Sequence, residues 1–152
     1  MGSIFGRLRQ AVKDQFGQSM VELALLLPIL VFGLIGAADL ARAFAIQLAV
    51  QNGARAGAEA WAIASTPTVA TTAARVSDEV SRTPGIDMNV VDVVLPDGPQ
   101  HADGTYCMST PTVANPCFYT VTVNYEFHTI VPWPFVPNVA HFSRSTTMRT
   151  FY

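Results

Sequence analysis

The sequence predicts an α+β protein: one long N-terminal helix, a short second helix, and a roughly three-stranded antiparallel sheet packed on the exposed half of the long helix. Three observations carry this. Residues 20–38 are apolar apart from Glu22, residues 39–64 keep helical spacing but turn amphipathic, and residues 118–131 alternate apolar with polar. Composition agrees. Half of the 152 residues are hydrophobic and only 13% are charged, against roughly 25% charged in ordinary soluble domains, so part of the chain meets a solvent other than water. That length suits one modest domain plus an anchor.

Residues 1–17 form a basic leader, with Arg7, Arg9 and Lys13 against Asp14. The apolar run after it, at about 1.5 Å rise per residue over about 19 residues, spans roughly 28 Å, close to the ~30 Å hydrocarbon core of a bilayer. It shows no polar stripe of the kind a soluble core helix carries. The basic residues before the span, and the near-balanced Asp39 and Arg42 after it, place the N-terminus in the cytoplasm and the remainder outside. A basic segment followed by an apolar one also describes a signal peptide, and Ala41-Arg42-Ala43 offers a cleavage site for that alternative. Retention is favoured by the length of the run and by a carboxylate, Glu22, near its start.

The helix is expected to continue over 18–64, because Leu40, Phe44, Leu48 and Trp61 recur at helical spacing with alanines between them. Residues 65–152 then form the exported domain. Thr66 is expected to cap a second helix that begins at Pro67 and stops before Pro84-Gly85. Ile86, Met88 and Val90, then Val91, Val93 and Leu95, predict a first strand with a change of face between Val90 and Val91. Tyr119, Val121, Val123, Tyr125 and Phe127 alternate with polar residues in the clearest strand, 118–131, and 139–151 is the last. Three consecutive strands most simply form a meander.

Cys107 and Cys117 bracket a polar, turn-rich loop and suit one structural disulfide in an oxidising compartment. No catalytic group is expected: there is no GxSxG, phosphate-binding loop or dinucleotide motif. The separations of His101, His128, His141 and the cysteines match no finger, ribbon or HExxH spacing, so neither metal nor cofactor is expected. The net charge of −2 and the lack of a basic, aromatic-interleaved run exclude nucleic acid as a leading partner. Trp133 and Phe135, on a proline-rich loop, form a candidate contact surface and serve equally well to close the core.

Gly17-Gln18-Ser19-Met20-Val21-Glu22, followed by the apolar run, resembles type IV prepilins, in which a peptidase cuts after a glycine and a glutamate stands five residues beyond the cut. The wider stretch GQSMVELALLLPILVFGLIGAADLARAF, then QNGARAGAEAWA, and the late SRSTTMRTFY are similar to the TadE-like family of pseudopilins from tight-adherence (Flp-type) pilus systems. The resemblance implies a pilin-like fold, cleavage between Gly17 and Gln18, and a role for Glu22 in pairing with a neighbouring subunit's new amine. It implies a single-pass bacterial inner-membrane protein with a periplasmic C-terminal domain. Its partners would be sister pseudopilins, the major Flp pilin, the prepilin peptidase, the inner-membrane platform and membrane lipid. The major pilins are short and place tyrosine after the glutamate, whereas this chain has Leu23 and a sizeable domain. That departure points to a minor pseudopilin. The other reading is a signal-anchored or secreted β-domain that binds a surface ligand.

Overall fold

The computed structural model describes residues 3–108, 110–133 and 137–150, with side chains from residue 17 onward. Helix α1 covers Ser3–Ile63 and α2 covers Val69–Ser81; a 3-10 turn at Met88–Val90 leads into β1 (Val91–Val94), followed by β2 (Phe118–His128) and β3 (Val139–Arg149). The strands form one antiparallel sheet in the order β1-β2-β3. The architecture is α+β and pilin-like, with the long helix, the second helix and the meander that the residue pattern predicts.

Two compact units divide the chain, residues 1–40 and residues 41–152. In the first, every side chain from Gly17 to Leu34 is exposed, although the segment is rich in leucine. α1 continues through Pro28. A proline removes one backbone hydrogen bond there, which helices in a membrane tolerate where neighbouring groups satisfy the freed carbonyl. Among the described helices α1 alone is long and apolar enough to cross a membrane, by length and composition.

The second unit holds the core. Ile46, Val50, Ala54, Ala58 and Trp61 of α1, Val76 and Val80 of α2, and Tyr119, Val121, Val123, Tyr125 and Phe127 of β2 make one buried cluster. The inward residues of β2 are the apolar half of its alternation, and period-two geometry sends the other half to the opposite face. Trp61 stacks flat on Tyr119, ring centroids 3.8 Å apart and planes 3° from parallel. The Tyr119 hydroxyl donates to the Pro96 carbonyl at 2.9 Å.

The face of α1 that turns inward is not the one its largest residues suggest. Phe44 and Leu48 are exposed, while the Ile46-Val50-Ala54-Ala58 row is buried. Small residues decide this. A Cβ on Gly57 would stand 2.5 Å from the Val76 side chain and 3.2 Å from that of Val121, and one on Gly53 would collide with Val80. The Gly53-x-x-x-Gly57 notch therefore admits α2 against α1, the close approach that small residues four apart allow.

The start of α2 and the first strand also differ from expectation. Thr68, not Thr66, caps α2: its hydroxyl accepts from the Thr71 amide at 3.1 Å, and Thr71 Oγ1 accepts from the Thr68 amide at 3.3 Å. This reciprocal box satisfies two amides at once and outweighs the preference of Pro67 for a first helical position. Residues 88–90 form a 3-10 turn because the Asp87 carboxylate accepts from the Asn89 amide at 2.9 Å. That local bond competes with a ladder, so β1 begins only at Val91.

Candidate functional site

The residues singled out by the sequence fall in three places. Gly17, Gln18 and Glu22 lie on α1, all exposed. Helical spacing puts Gln18 one turn before Glu22, and the Gln18 side-chain amide donates to Glu22 Oε1 at 3.1 Å. Gly17 has nothing within 4 Å of where a Cβ would stand, so its backbone is sterically open. In a bilayer a carboxylate costs roughly 2.5 to 3.5 kcal/mol at mid-depth and less near an edge, and polar partners such as the Gln18 amide offset that cost.

The second place is the loop ahead of β2. Cys107 and Cys117 are joined by a disulfide, with Cα atoms 6.3 Å apart. Cys117 is buried, and its carbonyl accepts from the Thr150 amide at 2.9 Å, tying the loop to the end of β3. His101 Nδ1 lies 3.2 Å from the Pro116 carbonyl. His101, Cys107 and Cys117 have donor atoms within 4.8 Å of one another. Both sulfurs are consumed in the bridge, so no thiolate is free to ligate a metal there. Nearby, Asp103 accepts from the hydroxyl and amide of Thr105 at 2.7 and 3.0 Å. These bonds, the hydroxyl's first, hold its carboxyl below the usual range.

The third is the end of the sheet. Trp133 is half-buried, and its amide donates to Asn138 Oδ1 at 2.5 Å, which closes the turn between β2 and β3. Phe135 lies outside the described residues.

One group escaped sequence reasoning. The solvent face of the sheet carries hydroxyl pairs, Thr120 with Thr147 and Thr122 with Ser145, each at 2.8 Å. Further along, Glu126 meets two imidazoles: His128 Nε2 at 2.9 Å from Oε1 and His141 Nδ1 at 3.6 Å from Oε2. The pair on β2 is visible as Glu-x-His, but His141 joins it only through strand register.

Compared with known proteins, the chain matches none of the curated proteins and none of the solved structures. Residues 17–59, the segment that carries Gly17, Gln18 and Glu22, match the family model described as TadE-like protein, so over this segment the chain is similar to that family.

Proposed function

We propose that this chain is a minor pseudopilin that helps to build, prime or cap a tight-adherence pilus or a related secretion machine. The observation that carries the reading is the placement of Gly17, Gln18 and Glu22 on the apolar helix, inside the segment that matches the family. Residues 1–17 hold Arg7, Arg9 and Lys13. Charges of that sign keep a helix end on the cytoplasmic side, so cutting after Gly17 removes the retaining charge and frees the helix to assemble. The cut also creates an α-amino group on Gln18, one turn from a carboxylate whose present partner is the neutral Gln18 side-chain amide and which a cation would neutralise. A neighbouring subunit's amine is the partner proposed for Glu22, and the domain beyond residue 40 lies outside the cytoplasmic membrane. The partners are then the sister pseudopilins, the major pilin, the prepilin peptidase and the platform proteins of the inner membrane.

The test is N-terminal sequencing of the wild-type and Glu22→Ala chains recovered from membranes, with pili counted in the same cells. A first residue of Gln18 in both chains, together with a severalfold loss of pili in the variant, is the expected result. A first residue of Phe44 would identify a secreted protein, and Met1 an uncut anchor; either outcome removes the processing step. Normal pili from Glu22→Ala would remove the assembly role of the carboxylate.

A further inference from the structure

We propose that Glu126, His128 and His141 form a binding site for a divalent transition-metal ion, zinc foremost, on the solvent face of the sheet. Strand pairing makes His141 the direct partner of Glu126 across β2 and β3. His128 lies two residues beyond Glu126 on the same strand, hence on the same face. Their neighbours Tyr125, Phe127 and Phe142 belong to or pack on the core, so all three ligating side chains point away from it.

Two ring nitrogens converge on one carboxylate, each on a different oxygen, at 2.9 and 3.6 Å. Two imidazoles and a carboxylate form a donor set suited to zinc, nickel or copper; calcium and magnesium prefer oxygen alone. The side chains of Glu126, His128 and His141 are 45, 59 and 76% exposed. Exposed ion pairs of this kind contribute at most about 1 kcal/mol, so little opposes turning both rings from the carboxylate toward a shared ion.

The surroundings favour a cation. An open groove of about 300 Å³ lies beside Glu126 and His141, with Asp92, Asn124 and Ser143 as its other polar lining and Val90, Tyr125 and Phe142 as its apolar lining; His128 stands outside it. Asp92 adds a second carboxylate, held in place by the Asn124 amide at 3.1 Å. The space accommodates the waters that would complete a coordination shell around an ion held by three side chains. Because β2 and β3 contribute one histidine each, the ion would also fasten the sheet's two longest strands together.

Zinc chloride titrated calorimetrically into the full chain in detergent micelles, at neutral pH with the disulfide intact, tests the site. The expected result is one zinc per chain. Affinity should fall by at least about tenfold in His141→Ala and in Glu126→Gln, and stay unchanged in His101→Ala. His141→Gln, which keeps a polar side chain, should show the same loss, and the variants should unfold like wild type without zinc because the altered groups are exposed. No saturable uptake, uptake undiminished in His141→Ala, or uptake that depends on His101 would each overturn the proposal.

Discussion

Tyr119 is fully buried, stacked on Trp61, with its hydroxyl bonded to the Pro96 carbonyl. Burial disfavours the phenolate, and the nearby Asp97 charge adds to this, so the phenol is pushed up to about 12 from its ordinary value of 10. A group raised in this way contributes stability that is fully present below pH 10, its unfolded value, and is lost as pH rises toward 12. The loss should be on the order of 2 kcal/mol. Urea unfolding of wild type and Tyr119→Phe at a series of alkaline pH values checks it. Near neutral pH the variant should be less stable by about 1 kcal/mol, the cost of the missing hydrogen bond. The gap should close as pH climbs above 10 and reverse before pH 12, since the variant has no phenol to titrate, and a constant gap would show that Tyr119 does not titrate late.

The contact between α1 and α2 depends on what is missing from α1. Alanine at position 57 would favour an isolated helix by about 1 kcal/mol over glycine. Its Cβ, however, would press on Val76 of α2 and Val121 of β2, both buried. Overpacking of that kind costs about 1 to 3 kcal/mol, and with contact on two sides it should outweigh the gain in propensity. Gly57→Ala should therefore lower stability in urea unfolding, while Gly57→Ala combined with Val76→Ala should be less destabilised than the two single changes summed, because the second vacates the space the first needs. Additive losses would mean that the notch does not set the approach. The same notch explains a misreading at this scale. Leu40, Phe44 and Leu48 outweigh glycine and alanine in any hydrophobicity pattern, yet the sheet and α2 take the small-residue side, where backbones come closest. The β2 alternation was fully legible, since burial on one face leaves a period-two trace, whereas the Thr68 box and the Asp87 turn rest on local side-chain bonds that compete with propensity.

For the whole molecule, the division into residues 1–40 and 41–152 separates an apolar helical unit from a unit with its own core. The first unit shows leucines all round and the second has a core with charged groups on its surface. This contrast was plain in the sequence, as were the long apolar helix and the two paired cysteines, because each is a local run or spacing. The cluster of Glu126, His128 and His141 was not, because the two histidines, 13 residues apart in sequence, are brought together only by pairing β2 with β3. Every member of the buried cluster lies after residue 45, and the disulfide, the caps of α2 and the whole sheet also lie in the second unit. Helical stability in proteins comes chiefly from packing an amphipathic face, so the 41–63 segment should stay helical without the apolar residues before it. A chain shortened to residues 41–152 should accordingly dissolve without detergent and unfold in urea in one cooperative step. Reducing the disulfide should lower its stability by about 3 kcal/mol, the entropy of a ten-residue loop. Circular dichroism and tryptophan fluorescence should report the same midpoint, since Trp61 sits in the core shared by both helices and β2. Separate midpoints, or a gradual transition, would show that residues 1–40 are needed to complete the fold.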